Sequence, residues 1–253
     1  MSSKIELYQG DCLDIMKKLP DKCIDMILCD LPYGTTHNHW DVIIPFDKLW
    51  EQYNRIVKDN AAILLFGQGR FSAQLICSNL NNYRYSLIWD KVLTSGFLNA
   101  NRMPLVKHED INVFYRNLPT YNPQFTAGEP LHSRGKSYLT KDIINNNYGK
   151  FDATSDKRAG SIEKYPTSII SFQKPHPSKS MHPTQKPIEL LEYLIKTYTN
   201  ESETVLDNCM GSGSTGVACK KLNRNFIGIE IDKEYFNMAK ERIENSNKAK
   251  KLF

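Results

Sequence analysis

The sequence lacks any apolar run long enough for a membrane-spanning helix, and its first six residues lack the apolar core of a signal peptide. We therefore expect a protein of the cytoplasm that does not enter a membrane. Its six cysteines form no Cys-x-x-Cys pair, and its six histidines show no metal-ligand spacing. These absences argue against a disulfide framework and a metal site, so we expect free thiols and no bound metal.

The composition is that of an ordinary globular protein, with 40% hydrophobic and 24% charged residues in a chain of 253. Such a length suits one large α/β domain or one domain with an inserted lobe. The net charge of +5 is unevenly placed, because residues 116–187 carry 11 Lys and Arg against 5 Asp and Glu, whereas the remainder has a net charge of −1. A basic segment of this kind suits a polyanion such as nucleic acid, although a solvated basic loop would have the same composition.

Short apolar runs alternate with amphipathic stretches through most of the chain, which predicts a mostly parallel sheet covered by helices. The predicted strands include residues 24–29, 61–66, 85–89 and 110–115. The alternation breaks down from residue 116 to about residue 180, in a stretch rich in Asn, Ser, Gly, Pro and Lys with scattered aromatic residues. We interpret that stretch as an irregular lobe, which divides the chain into 1–115, 116–180 and 181–253.

Asp30, Leu31, Pro32 and Tyr33 directly follow the predicted strand 24–29, so the carboxylate lies at the C-terminal end of that strand. Ligands bind at this edge in open α/β sheets, and Pro32 stiffens the loop. A carboxylate and a backbone carbonyl can both accept hydrogen bonds from an NH2 group, while an aromatic ring stacks on the flat base that carries it. The motif therefore suits the exocyclic amine of a nucleobase, and it equally describes an ordinary acid at a strand end before a turn.

A glycine loop, residues 211–216 with the sequence Gly-Ser-Gly-Ser-Thr-Gly, lies between the predicted strand 204–207 and a helix. It matches G-x-G-x-x-G, and Glu230 ends the next strand at the distance expected of an acid that holds ribose hydroxyls. A dinucleotide needs glycines for close backbone approach and an acid for the ribose diol, and so does S-adenosylmethionine. The motif alone predicts a nucleoside site and leaves the cofactor open.

Together the two motifs resemble the amino-group DNA methyltransferases, which modify N6 of adenine or N4 of cytosine and carry the signature Asp/Asn/Ser-Pro-Pro-Tyr/Phe. The catalytic motif comes first, the basic lobe second, and His182-Pro-Thr-Gln-Lys-Pro187 with the glycine loop last, an order similar to that of the β group of the family. The resemblance spans residues 1–115 and 182–244. It implies a Rossmann-like S-adenosylmethionine-dependent methyltransferase fold, with helices on both faces of a mostly parallel sheet. The three segments would then be a catalytic half, an inserted target-recognition lobe and a cofactor-binding half.

Carried over position by position, the resemblance makes Asp30, Leu31, Pro32 and Tyr33 the catalytic residues. Asp30 and the backbone carbonyl of Leu31 would accept hydrogen bonds from the target amine, and Tyr33 would stack on the base. Leu31 replaces the first proline of the signature, which leaves the loop less rigid.

The cofactor is assigned to a larger set of residues in the two motifs and near the strand ends. This set comprises Asp11, Cys12, Asp30, His182, Thr184, Lys186, Asp207, Asn208, Met210, Gly211, Gly213 and Glu230. Glu230 would bind the ribose, Asp11 would lie near the adenine or the amino-acid end, and Lys186 would pair with the carboxylate. Asn208-Cys209 replaces the Pro-Phe that is usual before the glycines, so a cysteine takes the place of that aromatic residue.

The predicted reaction transfers a methyl group from S-adenosylmethionine to N6 of adenine in duplex DNA, with the base flipped out of the helix. The alternatives are a cytosine-N4 enzyme, a methyltransferase acting on RNA or protein, and, from a different class, a noncatalytic nucleic-acid binder. The candidates for DNA contact are Arg134, Lys136, Lys157, Arg158 and Trp40. The resemblance implies a bacterial or phage restriction-modification setting, and it is compatible with a homodimer and with a cognate restriction endonuclease without specifying either.

Overall fold

The computed structural model describes residues 3–35, 41–129, 143–145, 149–151, 161–174 and 185–246 of the chain. Within these ranges the chain forms twelve strands and six α-helices. The strands are β1 (Ile5–Gln9), β2 (Ile24–Cys29), β3 (Val57–Gly67), β4 (Tyr83–Ser95), β5 (Val106–Phe114), β6 (Thr126–Ala127), β7 (Ile143–Asn145), β8 (Gly149–Phe151), β9 (Glu163–Lys164), β10 (Ile169–Ser171), β11 (Thr204–Asp207) and β12 (Asn225–Glu230). The helices are α1 (Cys12–Met16), α2 (Phe46–Ile56), α3 (Gly69–Ser78), α4 (Ile188–Tyr198), α5 (Ser214–Lys221) and α6 (Lys233–Asn245).

Eight of these strands form one sheet, in the order β1-β12-β11-β2-β3-β5-β4-β10. Neighbouring strands pair in parallel except at β5, which runs antiparallel to both β3 and β4. The α/β class and the mostly parallel sheet predicted from the sequence are confirmed. Because the parallel strands point the same way, their C-terminal ends meet at one edge of the sheet.

Helices cover both faces of this sheet. Successive side chains of a buried strand point to opposite faces, so each strand contributes to two apolar cores. In β2, Ile27 and Cys29 belong to an apolar core shared with α1, α2 and α3. Met26 and Leu28 alternate with them and belong to the core shared with α4, α5 and α6. Packing on both sides therefore fixes the C-terminal end of β2, where Asp30 follows.

The chain divides into two compact units, one formed by residues 1–122 and 168–253 and the other by residues 123–167. The larger unit contains the eight-stranded sheet and the six helices named above. The smaller unit contains two antiparallel strand pairs, β6 with β9 and β7 with β8, and within it the ring centroids of Phe125 and Tyr165 lie 5.0 Å apart. The bounds of the smaller unit lie inside the predicted lobe, 116–180.

The six cysteines are free thiols, as predicted. Burial raises the pKa of the Cys29 thiol to about 12, so this thiol stays protonated at neutral pH. Among the described helices, none has the length and apolar character that crossing a membrane requires.

Candidate active site

A cavity of about 590 Å³ lies at the edge of the sheet where β1, β2, β11 and β12 end. Its volume is within the range of roughly 300–1,000 Å³ that is typical of small-molecule sites. Its wall contains many of the residues predicted for catalysis or cofactor binding, namely Asp11, Cys12, Asp30, Leu31, Pro32, Tyr33, Lys186, Asp207, Asn208, Met210, Gly211 and Glu230. The two motifs, far apart in the chain, meet here because β2 and β11 are neighbours in the sheet.

Asp30 is part of a network of buried charges. Its Oδ2 accepts a hydrogen bond from Nζ of Lys186 at 2.5 Å, and the same Nζ lies 3.2 Å from Oε2 of Glu109. The other oxygen of Glu109 accepts a hydrogen bond from Nζ of Lys91 at 3.2 Å. The side chains of Lys186 and Glu109 are only 10% and 15% exposed. Two carboxylates and two ammonium groups therefore share one poorly solvated volume.

The charges in this network shift one another's pKa values. Burial raises the pKa of Asp30 above its usual value, and the nearby ammonium of Lys186 opposes the shift. Burial also acts to raise the pKa of Glu109, but the ammonium groups of Lys186 and Lys91 outweigh it and hold that pKa below its usual value. For Lys186, burial would lower the pKa, and the two carboxylates reverse the direction. Lys186 thus makes it possible for two neighbouring carboxylates to be ionised together.

Tyr33 lies beside Asp30 and donates a hydrogen bond from its hydroxyl to Oδ1 of that residue at 2.9 Å. Its ring stacks on Phe71, with the ring centroids 4.5 Å apart and the planes inclined by 22°. One face of the Tyr33 ring is therefore supported by another aromatic residue, and both oxygens of Asp30 have a donor.

Glu230 ends β12 and is 7% exposed. Its Oε2 accepts a hydrogen bond from the backbone N–H of Gly211 at 2.8 Å, and its Oε1 accepts one from the N–H of Asp232 at 2.9 Å. Burial raises the pKa of Glu230, and these backbone donors oppose the shift. Each carboxylate oxygen has a second lone pair, so the side chain can still accept hydrogen bonds from hydroxyl groups of a ligand.

Asp207 ends β11, the strand between β12 and β2. Its Oδ2 accepts a hydrogen bond from Oγ1 of Thr215 at 2.6 Å, and its Oδ1 accepts one from the N–H of Cys209 at 3.2 Å. Burial raises the pKa of Asp207 to about 6. Because Thr215 and Cys209 belong to the segment around the glycine loop, Asp207 holds that segment against β11 as well as lining the cavity.

Two further predicted residues have local partners in addition to their place in the cavity wall. Asp11 caps the N-terminus of α1, where its Oδ1 accepts a hydrogen bond from the N–H of Leu13 at 2.8 Å. Asn208 accepts a hydrogen bond from the buried hydroxyl of Tyr53 at 2.6 Å. These contacts fix the first turn of α1 and the residue that follows β11.

The two glycines predicted for the cofactor lie in different surroundings. Gly211 and Gly213 both have left-handed backbone conformations, with φ of +49° and +75°. Only Gly211 is in the cavity wall. A Cβ on Gly213 would lie 2.9 Å from the Cβ of Ala239 in α6, so Gly213 allows the start of α5 to lie close to α6.

Seven predicted residues lie outside the described parts of the chain and remain predictions. They are His182 and Thr184 for the cofactor, and Arg134, Lys136, Lys157, Arg158 and Trp40 for DNA.

Three residues of this site were missed by the sequence analysis, namely Glu109, Asp41 and Phe71. Glu109 lies in the antiparallel strand β5, so the beginning of its strand reaches the cavity, and a search of strand C-termini passes over it. Asp41 follows the loop after the catalytic motif and accepts a hydrogen bond from the N–H of Gly34 at 2.8 Å. The acidic pair Glu109-Asp110 in front of the mostly apolar run 111–115 is the sequence signal that could have drawn attention to β5.

The family model N6_N4_Mtase, described as DNA methylase, matches residues 24–241. The Type II methyltransferase M2.MboI of Moraxella bovis is 28% identical over 93% of this chain and 86% of its own. The Type II methyltransferase M.HpaI of Haemophilus parainfluenzae is 29% identical over 94% of this chain and 74% of its own.

Solved structures show the same similarity. The crystal structure of the M1.HpyAVI-SAM complex is 27% identical in sequence, covers 94% of this chain and 99% of that chain, and has a TM-score of 0.61. The PvuII DNA methyltransferase, described as cytosine-N4-specific, is 14% identical, covers 98% of this chain and 93% of that chain, and has a TM-score of 0.68. At that identity the second likeness concerns the fold alone.

Proposed function

This chain belongs to the N6/N4 DNA methylase family, and we propose that it transfers a methyl group from S-adenosylmethionine to N6 of adenine in duplex DNA. Family membership makes it a DNA methyltransferase that acts on an N6 or N4 amine. Beyond family membership, we propose adenine as the base, duplex DNA as the substrate and the roles of single residues. The main observation in support is that Asp30 and Glu230 contribute to the wall of the same cavity.

The composition of the cavity wall fits S-adenosylmethionine, which supplies, when bound, a methyl group on a positively charged sulfur. Among the residues that the structure describes, six carboxylates and two ammonium groups contribute to the wall, an excess of negative charge that favours a cationic ligand. Glu230 retains lone pairs for the ribose hydroxyls, and Asp11 is proposed to lie near the adenine or the amino-acid end. Lys186 is proposed to pair with the cofactor carboxylate in addition to its contacts with Asp30 and Glu109.

Asp30 and the carbonyl of Leu31 are proposed to accept the two hydrogens of the target amine. An exocyclic amine is a poor nucleophile because its lone pair is conjugated with the ring, and two acceptors bias the nitrogen toward tetrahedral geometry. Positioning and electrostatics then provide most of the catalysis. The methylated nitrogen must lose one proton, and Asp30 is suited to receive it because burial raises its pKa.

Tyr33 is proposed to stack on the target base with the face that Phe71 leaves uncovered. In duplex DNA the amine is inaccessible to a cavity of this kind, so the base must leave the stack. The contact with Phe71, at 4.5 Å between ring centroids, supports this role because it holds the ring in one orientation.

The choice of adenine rests on the aspartate at the first position of the signature, which favours N6 of adenine. Cytosine N4 is the alternative, since the same acceptors would serve its amine. Methylation of RNA or protein is less favoured, because the order of the motifs and the basic segment 116–187 fit a DNA enzyme better. A noncatalytic binder of nucleic acid would leave the acidic cavity without a role.

The test is transfer of labelled methyl from S-adenosylmethionine to unmethylated bacterial DNA, followed by nucleoside analysis of the product. N6-methyladenine is the expected product. N4-methylcytosine would keep the mechanism and replace the base, whereas cofactor binding without incorporation into DNA would favour an RNA or protein substrate.

Asp30→Ala is the variant that tests the catalytic role, and we expect it to bind DNA and lose turnover. Asp14→Ala is a matched control, because Asp14 is 69% exposed and pairs with Lys17 on the surface of α1. Wild-type turnover by Asp30→Ala would refute the mechanism.

A further inference from the structure

The connection between β4 and β5 leaves several large apolar side chains exposed together. We call residues 96–105 the β4–β5 tip. Phe97 is 81% exposed, Leu98 is 98% exposed and Met103 is 53% exposed. Single exposed apolar residues are common, but a cluster on one short segment marks a surface that a partner covers.

The β4–β5 tip has a defined fold of its own. Gly96 has a left-handed conformation with φ of +87° and precedes a single 3-10 turn, Phe97–Asn99. The N–H groups of Arg102 and Met103 both donate to the carbonyl of Asn99, at 2.8 Å and 3.0 Å. The apolar side chains are therefore presented outward by a folded turn, with β4 and β5 paired beneath it.

The β4–β5 tip extends from the rim of the proposed active site. Trp89 in β4 and Glu109 in β5 both line the cavity, and β4 continues beyond Trp89 to Ser95. Trp89 pairs with Glu109 and Ser95 pairs with Val106, so the irregular end of β4 is matched by only three residues of β5. At roughly 3.3 Å per residue, the tip therefore begins about 10 Å from the cavity rim. A duplex that delivers a rotated base to the cavity therefore meets the tip close to the base step that the base has left.

The charge around the β4–β5 tip favours a polyanion. From Lys91 to His108 the sequence contains no Asp or Glu. Arg102 and Lys107 are exposed, and no carboxylate among the described residues contacts Arg102, whereas Nζ of Lys107 lies 3.5 Å from Asp90. Stacked nucleic acid has phosphates outside and apolar base faces inside, which matches cations placed beside apolar side chains. A symmetric contact between two copies of the tip would instead bring like charges together.

Building on the function proposed above, we propose that the β4–β5 tip docks on duplex DNA at the base step from which the target base is rotated. Phe97 and Leu98 enter the stack beside the vacated position, and Arg102 contacts a flanking phosphate. Apolar side chains inserted between base steps unstack them, which makes extrusion of the neighbouring base less costly. The role is one of positioning the duplex, since these side chains do not reach the reacting atoms.

The experiment compares native and heat-denatured bacterial DNA as methyl acceptors for the double variant Phe97→Ser, Leu98→Ser. We expect kcat/KM to fall about tenfold or more on native DNA and less than about threefold on denatured DNA, where no stack has to be opened. The matched control is Leu80→Ser, Leu118→Ser, because these residues are 62% and 78% exposed and lie toward the opposite edge of the sheet, before β4 and after β5. The control should match the unchanged protein on both substrates.

A second measurement is anisotropy of a labelled duplex oligonucleotide, which reports binding without turnover. The double variant should weaken binding about tenfold, and Arg102→Gln should reduce the slope of log K against log salt concentration by about one. Unchanged duplex binding, or equal losses of activity on both DNA forms, would overturn the proposal. Loss of self-association in sedimentation with unchanged DNA binding would also overturn it and assign the tip to a contact between copies. If the unchanged protein transfers no methyl group to DNA, the proposed function fails, and the binding comparison still decides the role of the tip.

Discussion

Lys186→Met removes the charge that Asp30 and Glu109 share. Methionine retains an unbranched apolar side chain next to the ring of Phe66, whose centroid lies 4.8 Å from Nζ of Lys186. The ammonium that lies 2.5 Å from Asp30 and 3.2 Å from Glu109 is lost. Asp30 and Glu109 then lie close together, and among the described residues only Glu109 keeps an ammonium partner, Lys91.

The expected loss of stability follows from that geometry. Removing one partner of a buried ion pair costs about 3–5 kcal/mol. The side chain of Asp30 is 24% exposed and can gain solvent, so we expect the lower value, about 3 kcal/mol. For a chain of this size the loss corresponds to a fall in Tm of about 6–12 °C, which differential scanning calorimetry would measure.

The same variant should change the pH dependence of methyl transfer. The proposed active form of Asp30 is the carboxylate, so activity falls as the pH drops through its pKa. Burial raises that pKa and Lys186 opposes the rise, so removing Lys186 lets the pKa rise further. The acidic limb of the kcat profile should therefore move to higher pH, and Lys186→Arg should keep it near its original position.

The control is Lys221→Met, because Lys221 pairs with Glu192 at 3.1 Å and its side chain is 40% exposed. A surface pair of this kind contributes about 0–1 kcal/mol, so its loss should leave both Tm and the pH profile nearly unchanged. An unchanged Tm and acidic limb in Lys186→Met would refute the reasoning about the charge network. Weaker cofactor binding with an unmoved acidic limb would instead support Lys186 as the partner of the cofactor carboxylate.

Glu230→Gln should weaken S-adenosylmethionine binding about 10- to 100-fold in calorimetry, because hydrogen bonds to a charged acceptor contribute about 1.5–3 kcal/mol. The surface change Glu234→Gln should leave the affinity unchanged. Burial raises the pKa of Asp207 to about 6, so its ionised form destabilises the fold above that pH and the penalty is relieved as the pH falls toward 4. Asp207→Asn removes this contribution, and a Tm difference between pH 7 and pH 5 equal to that of the unchanged protein would contradict the assignment. Gly213→Ala should lower the free energy of unfolding, measured in urea, by about 2–3 kcal/mol, because the added Cβ strains the backbone and contacts α6. The control Gly69→Ala should lower it by about 1 kcal/mol, because φ of Gly69 is +52° but its added Cβ meets nothing within 4 Å.

The central sheet could be predicted from the sequence because its inner strands, β2, β3, β11 and β12, are largely buried and apolar on both faces. β2 and β11 were located to the residue for this reason. β4 extends well beyond both ends of the predicted strand 85–89, and β5 begins at Val106, before the predicted start at residue 110. These ends were missed because the outer part of the β4–β5 ribbon is exposed. In this outer part the two strands pair through their backbones, and a pattern of side chains does not predict such pairing.

The candidate site was predictable where a residue stands at the end of a parallel strand. Asp30, Asp207 and Glu230 share that position, and each lies in the cavity wall. Glu109 could not be found in this way because strand direction is a property of the whole sheet. The same limit applies to Gly213, since the approach of α6 to the glycine loop is visible only once both are packed on the sheet.

Leu31 stands where the family signature has a proline, and the loop is held by other means. The side chain of Leu31 is 4% exposed and belongs to the apolar core shared with α1, α2 and α3. Beyond Tyr33, the carboxylate of Asp41 accepts hydrogen bonds from the N–H groups of Gly34 at 2.8 Å and Thr35 at 2.9 Å. A proline ring restricts one φ angle, whereas a buried leucine fixes its own backbone through close packing with many neighbours. The carbonyl of Leu31, the proposed second acceptor for the target amine, can therefore keep a fixed position beside Asp30 without the proline.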